Sequence, residues 1–201
     1  RDDRVRDGID MCWRWCDDLA RGGLAAARAQ SGASRIAARL VDAQAPGLAR
    51  LVHRFEESLA HPDDWMRRAS EALGRLHLLL AAGQRLETLP EDVAADVRVA
   101  LGWTQSRESA LAGESVDDRW CVVGRVAEEV DRGISERTWL VGQRTGRRAH
   151  VLAFLPGGRR DGEPPLLTDS EFDAPLRFYP SRLPLRAIVA ETQRQAARAT
   201  A

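Results

Sequence analysis

Residues 119–154 read RWCVVGRVAEEVDRGISERTWLVGQRTGRRAHVLAF, and this stretch decides the fold class. Three runs rich in Val, Leu, Trp and Phe are separated by polar turns that contain Gly. β-Branched and aromatic residues favour strands, and Gly favours tight turns. The pattern predicts antiparallel strands at 119–127, 135–143 and 148–155. We expect a turn at 128–133 and a tight hairpin at 144–147, where Gly146 accepts a positive φ.

The first predicted strand is apolar on both faces. Alternation places Trp120, Val122 and Val126 on one face and Cys121, Val123 and Ala127 on the other. A sheet with two apolar faces is covered on both sides for part of its area. We therefore expect the preceding helices to cover one face, and Trp120 and Trp139 to anchor the core.

The N-terminal half carries the periodicity of amphipathic helices. Apolar residues recur there at spacings of three and four, which predicts four to five helices. The first helix is expected at about 3–20, with a continuation at 24–29, and the second after Ser31 or Ser34 and up to 45. Further helices are expected at 46–59, at 64–86, and after 88 up to 101. Pro46 suits the first turn of its helix. The predicted N-terminal caps are Ser31 or Ser34, Asp63 with Asp64, and Thr88 with Glu91.

The composition changes between Gly102 and Asp118, where no apolar stripe is evident. We predict an α+β protein in which an N-terminal array of four to five helices precedes a small, mostly antiparallel β-sheet. The predicted domains are a helical domain at 1–102 and an antiparallel β domain at 116–190, and a core shared between them is left open. Residues 156–165 are expected to form a loop, 176–179 a strand, 185–189 a last strand or the start of a helix, and 193–201 a frayed tail or a short helix.

Composition excludes some classes of partner. The 201 residues carry 30 basic and 30 acidic side chains, and every basic one is Arg. No net field therefore attracts nucleic acid or anionic lipid, so such binding needs a local patch. Three cysteines, few and odd in number, suit a reducing compartment. With no apolar run near 18 residues, the sequence predicts a cytoplasmic protein without a membrane partner.

No residue pattern predicts catalysis or a cofactor. Cys12 and Cys16 lie one helical turn apart, a spacing that can bind a metal, but the same positions complete an apolar stripe, which we favour. The four histidines, among them His77 in a helical stripe, share no motif spacing. The sequence has no nucleophile with a supporting base in a recognisable pattern, and a lone nucleophile is not evidence of catalysis. It also has no phosphate-binding motif with glycines at the required positions. The sequence predicts no enzyme and no metal or cofactor site in this chain.

The hairpin predicts a local basic patch near Trp139. Small sheet domains hold single-stranded nucleic acid with basic side chains around an aromatic platform. An ordinary solvated hairpin tip is the other interpretation. The candidate contacts for nucleic acid or a partner are Arg137, Arg144, Arg147 and Arg148, with Arg159 and Arg160 of the next loop beside them.

An ordered set of short motifs resembles a known family. The set consists of RLVDAQAPGLA at 39–49, LHLLL at 76–80, GWT at 102–104, DRW at 118–120, RTWL at 137–140 and FYPS at 178–181. Together, from about Ile9 to Val189, they are similar to the region C-terminal to the finger in bacterial SWIM zinc-finger proteins. The finger itself has Cys-x-Cys followed by Cys-x-His, which this sequence lacks, so no zinc ligand is carried over.

The resemblance implies a function as well as a fold. Because the chain opens on Arg1, we expect it to be a piece of a longer parent whose finger, with the zinc, lies upstream of Arg1 or has been cut away. The family implies a bacterial, cytoplasmic protein with DNA- or protein-binding roles and no established enzymatic activity, which accompanies AAA-type ATPases and von Willebrand A domain proteins. The predicted function is a non-catalytic interaction (adaptor) module that binds a protein partner. The alternative is a nucleic-acid-binding module that uses the arginine-rich β-hairpin.

Overall fold

The computed structural model of the chain has helices in its N-terminal half and a mostly antiparallel sheet in its C-terminal half, which confirms the α+β fold. It describes residues 2–29, 32–130, 132–159, 166–190 and, for the backbone, 198–199. Ser31, Arg160 and most of the predicted loop and tail lie outside these residues. The chain divides into two compact units, a helical unit at Arg1–Thr104 and a barrel unit at Gln105–Ala201.

Seven α-helices lie in the described part of the chain. They are α1 (Asp2–Gly22), α2 (Leu24–Ala29), α3 (Ala33–Asp42), α4 (Pro46–Ala60), α5 (Trp65–Gln84), α6 (Glu91–Leu101) and α7 (Arg107–Leu111), with a 3-10 turn at Leu86–Thr88. The first six follow the predicted periodicity closely. The sequence prediction missed α7, because five residues are too few to show an amphipathic stripe. None of these helices is both long and apolar enough to cross a membrane.

The predicted helix caps are wrong where the structure describes them. The Ser34 hydroxyl donates to the Glu56 carboxylate at 2.8 Å instead of accepting from α3. Asp64 precedes α5 with a positive φ of 58° and accepts from Arg67 at 3.0 Å, so its carboxylate is turned away from the helix N–H groups. Thr88 ends the 3-10 turn and does not cap α6. Side chains with a competing partner are unavailable as caps.

The helical unit is built on a core of aliphatic side chains. In it α3 packs on α4, α4 on α5, and α1 on α5. Fully buried members include Leu40, Leu48, Val52, Leu76, Leu80 and Leu101. At the start of α4 a β-carbon on Gly47 would lie 1.8 Å from the carbonyl oxygen of Ala100. Only glycine therefore permits this close approach of α4 and α6.

The strands of the barrel unit pair in a closed ring. They are β1 (Ser115–Val130), β2 (Gly133–Gly142), β3 (Arg148–Pro156), β4 (Ser170–Phe178), β5 (Arg186–Val189) and the two-residue β6 (Arg198–Ala199). The order is β1-β2-β3-β5-β4, and β1 also pairs with β4, which closes a five-stranded barrel; β6 adds to β4. All these pairs are antiparallel except β3–β5. Residues 185–189 thus contribute a strand, and β4 begins earlier than predicted.

A bulge in β1 corrects the predicted faces. Val122 pairs with Leu140 and Gly124 with Trp139, so Val123 is an extra residue. An extra residue reverses the alternation beyond it. The placement of Val126 on the face of Trp120 and Val122 is therefore wrong, because it lies on the opposite face. The connection between β1 and β2 lies within the predicted turn at 128–133, but the turn is shorter than predicted, because β1 continues to Val130, which pairs with Gly133.

The barrel core confirms one predicted tryptophan anchor and not the other. Trp120 is fully buried among side chains such as Phe172, Leu176 and Phe178, and its indole N–H donates to the Ala174 carbonyl at 2.9 Å. Trp139 is half-buried and outside this core, because its neighbour Leu140 takes the inner side of β2. The expected packing of the helices on the sheet stays a prediction.

Candidate functional site

A buried carboxylate organises the turn between β2 and β3. Asp118 on β1 accepts hydrogen bonds from the backbone N–H groups of Arg119, Arg144 and Thr145 at 2.7, 3.0 and 2.9 Å, and from the Thr145 hydroxyl at 2.6 Å. Burial alone would raise the pKa of Asp118, but these hydrogen bonds outweigh it and hold the pKa well below its ordinary value. The ionised carboxylate thus fastens the hairpin to β1.

Two of the four candidate arginines are engaged by the barrel itself. The Arg144 guanidinium lies 3.4 Å from Asp118 and donates to the Asp117 carbonyl at 2.6 Å. Arg147 forms an ion pair with Glu114 at 2.8 Å, and its guanidinium carbon lies 4.9 Å from the centre of the Phe178 ring. These acidic partners offset much of the positive charge at the hairpin tip.

The other two candidate arginines lie on what we call the outer face, the side of β2 and β3 that faces away from the barrel core. Arg137 and Trp139 of β2 are on this face with Arg148 and His150 of β3, since alternate residues of a strand share a side. Arg137 and Arg148 are exposed. On β5, Arg186 is the parallel partner of His150 and lies beside it.

An aromatic pair occupies the middle of the outer face. The rings of Trp139 and His150 have centroids 4.9 Å apart, and the Arg137 guanidinium carbon lies 6.0 Å from the Trp139 ring. Within the described residues, the buried His150 Nδ1 has no hydrogen-bond partner. Burial, together with the charges of Arg137 and Arg186, lowers the pKa of His150, so the ring is neutral at pH 7.

The outer face becomes apolar towards the end of β3. Leu152 and Phe154 follow His150 at two-residue steps, and the bulge brings Val126 of β1 to the same side. The side chain of Phe154 is 55% exposed and that of Val126 49% exposed. The face therefore has a basic end at Trp139 and an apolar end at Phe154.

The two candidate metal-binding cysteines of the helical unit serve its core. Cys12 and Cys16 lie on the buried face of α1. Both thiols are buried among apolar side chains, and the hydrogen bond between them raises the pKa of Cys12 and lowers that of Cys16. His77 is exposed and lies outside the core, with its ring tilted 39° against that of Trp13 at a centroid distance of 4.8 Å. Among the described residues no group of three or more His, Cys, Asp and Glu side chains is placed to hold a metal ion.

The helical unit also has an open groove of about 600 Å³. Its apolar lining includes Val5, Ile9, Leu86, Leu101 and Trp103. At its rim Arg6 and Glu87 form an ion pair at 2.8 Å, with both side chains exposed. The groove combines an apolar floor with charged edges.

The sequence prediction missed three residues of the outer face. His150 and Phe154 follow Arg148 at even spacing along a predicted strand, so strand alternation alone would have found them. Arg186 joins the face only through the parallel β3–β5 pair, which links positions 36 residues apart (His150 and Arg186). No local signal predicts that pairing.

One comparison with known proteins identifies a relationship. A family model described as the SWIM-associated four-helix bundle domain matches residues 1–101, which contain α1 to α6. No curated protein and no solved structure gives a significant match to the chain.

Proposed function

This chain belongs to the family of SWIM-associated four-helix bundle domains, and from that premise we propose that it is a non-catalytic module that binds nucleic acid on the outer face of its barrel unit. The family match confirms the resemblance to SWIM-family proteins that the sequence motifs indicate. The ligand is a proposal that depends on the barrel unit, which lies beyond the matched residues.

The observation that carries the proposal is the Trp139–His150 pair set among Arg137, Arg148 and Arg186. Aromatic rings stack on bases of any sequence, and arginine binds phosphate. A neutral protein needs such a local patch to attract a polyanion. The outer face places two exposed arginines beside an aromatic pair, and Arg186, whose guanidinium carbon lies 4.4 Å from the centre of the Tyr179 ring, adds a third positive charge.

The strand order also supports the outer face as the binding surface. A closed ring of order 1-2-3-5-4, with strands 3 and 5 parallel, has the connectivity of OB-fold barrels. Those barrels bind oligonucleotides and oligosaccharides on their strand 2 and strand 3 face. This support is an analogy at the level of fold, and the function rests on the side chains themselves.

The proposal divides the four candidate arginines into two pairs. Arg137 and Arg148 are the ligand contacts, because they are exposed on the outer face beside Trp139. Arg144 and Arg147 hold the turn through Asp118 and Glu114. The contact surface is thus the flat side of the hairpin instead of its tip.

Fluorescence anisotropy with a labelled oligonucleotide at low salt tests the proposal. The double variant Arg137→Glu, Arg148→Glu is expected to bind at least about tenfold more weakly, because two phosphate contacts become repulsive. With three arginine contacts, the logarithm of the association constant should fall against the logarithm of salt concentration with a slope of about −2.

A matched control separates the patch from net charge. Arg50 and Arg75 are exposed residues of α4 and α5, so Arg50→Glu, Arg75→Glu changes the charge of the whole protein equally. This control should bind as the wild type does. Equal weakening by both double variants, or no binding by the wild type at low salt, would contradict the proposed function.

A second candidate function is the adaptor role implied by the family. The groove at Val5, Ile9 and Trp103 has the apolar floor and charged rim of a site for a protein segment. We propose AAA-type ATPases or von Willebrand A domain proteins as the partners. Calorimetric titration with the purified partner should show binding that Leu86→Glu, at a half-buried position of the groove lining, abolishes and the outer-face double variant leaves unchanged.

The remaining parts of the proposal concern what the chain does not do. We propose that it is not an enzyme and holds no cofactor, with zinc bound only by the finger of its parent protein. Cys12, Cys16 and Cys121 are free thiols, which supports a reducing, cytoplasmic setting.

A further inference from the structure

Phe154 is an exposed aromatic side chain in line with the Trp139–His150 pair. It lies four residues after His150 on the same face of β3, opposite Ser135 of β2, and its side chain is 55% exposed. Contiguous exposed apolar patches with a polar rim mark interaction sites, whereas single exposed apolar residues are ordinary. Phe154 therefore extends the outer face along β3.

The bulge at Val123 adds to this extension. Without the extra residue, Val126 would point to the inner side of the barrel; with it, Val126 shares the outer face with Arg137 and Leu152. The bulge thus gives the end of the face an apolar surface around Phe154.

Charge is distributed unevenly along this face. Arg137, Arg148 and Arg186 surround the Trp139–His150 pair, whereas Glu128 lies in the row of Ser135 and Phe154. Phosphates are attracted to the arginine end and repelled by Glu128. At the Phe154 end, therefore, the affinity for nucleic acid comes from stacking of a base and not from contacts with phosphate.

The distance between the aromatic positions at His150 and Phe154 favours the binding of single strands over duplexes. His150 and Phe154 are about 13 Å apart, as four steps of about 3.3 Å along a strand. In a duplex the bases are stacked on one another at about 3.4 Å and have no free faces between the ends. Two separate stacking positions can be filled only by a strand whose bases are unstacked.

We infer that the nucleic acid bound on the outer face is single-stranded and lies along β3, with one base stacked on Trp139, whose ring is tilted 56° against that of His150, and another on Phe154. This inference rests on the proposed function and specifies its ligand. Binding is independent of sequence, because every base has a face to stack.

The test compares an eight-nucleotide oligothymidine with a duplex of equal length, using wild type, Phe154→Ala and Phe154→Trp. The Phe154→Ala variant should bind the single strand about 5- to 100-fold more weakly than the wild type, because one stacked base is lost. The Phe154→Trp variant should keep the affinity of the wild type. The wild type should bind the duplex more weakly, and Phe154→Ala should leave that duplex affinity unchanged. Leu78→Ala, which removes a 70% exposed side chain from α5, is the matched control and should bind as the wild type does.

Two results would overturn this inference while the proposed function survives. One is duplex affinity equal to or above single-strand affinity, with binding still sensitive to Arg137→Glu, Arg148→Glu. The other is unchanged single-strand affinity in Phe154→Ala. Failure of the proposed function looks different, since neither form of nucleic acid would then bind.

Discussion

The rings of Trp139 and His150 meet across the β2–β3 pair with their centroids 4.9 Å apart. Trp139 is thereby held on the outer face by its cross-strand partner, while Leu140 beside it enters the core. Cross-strand aromatic pairs are favourable contacts in sheets. The pair presents a fixed aromatic surface without support from the barrel interior.

The first prediction concerns Trp139. Trp139→Ala should weaken oligonucleotide binding by about 1–3 kcal/mol, because a stacking surface for one base is lost. Its melting temperature should fall only slightly, because the side chain lies outside the core and only the cross-strand contact with His150 is lost. Anisotropy and thermal denaturation measure the two effects.

Trp120→Ala provides the contrast. It removes a fully buried ring with a hydrogen bond to Ala174, and should destabilise the barrel unit by about 3–5 kcal/mol. If Trp139→Ala were the more destabilising of the two, our assignment of the inner and outer faces would be wrong.

The second prediction is a pH dependence of binding. Burial, Arg137 and Arg186 lower the pKa of His150 in the free protein, and a bound phosphate chain would offset those charges and raise it again. Binding therefore takes up a proton, so affinity should increase as the pH falls from 8 towards 5.5. Titrations at several pH values should show this increase, and His150→Gln should flatten it; an equal slope in the variant would assign the proton to another group.

The third prediction concerns the stability of the hairpin. Asp118→Asn should destabilise the barrel unit by about 2–3 kcal/mol, because an amide cannot accept every hydrogen bond that the carboxylate accepts. The folded pKa of Asp118 is lowered, so its contribution is complete above the unfolded value of about 3.9 and is lost as the pH falls below that value towards the folded pKa.

Denaturant unfolding at pH 7 and at pH 3 checks this sign. The difference between wild type and Asp118→Asn should be large at pH 7 and should shrink in acid. Asp117→Asn is the matched control, since Asp117 is exposed and adjacent. A stability difference that grows in acid would refute the role given to Asp118.

The fourth prediction concerns the helical unit. Gly47→Ala should destabilise it by about 3 kcal/mol, because the added methyl group would meet the Ala100 carbonyl at 1.8 Å and both are backbone positions within helices. Gly74→Ala in α5 is the counterpart: a β-carbon there has no neighbour within 4 Å. It should stabilise the helix by about 0.5–1 kcal/mol, and chemical denaturation distinguishes the two.

The candidate site shows where local pattern is sufficient and where it is not. Arg137, Arg148 and Trp139 were predicted as neighbours because a hairpin brings residues close in sequence together. Arg144 and Arg147 were predicted beside them, but Asp118 and Glu114 come from β1 and the residue before it, and nothing local to the hairpin reveals those partners.

By itself, the sequence determined the helices α1 to α6, the β2–β3 hairpin and the order of helices before strands. Each of these depends on periodicity or turn chemistry within a few residues. Only the tertiary structure decided the β1–β4 closure, the parallel β3–β5 pair that places Arg186 beside His150, and the bulge that turns Val126 outwards. These features depend on contacts between distant segments, whose relative energies become defined only when the whole barrel packs.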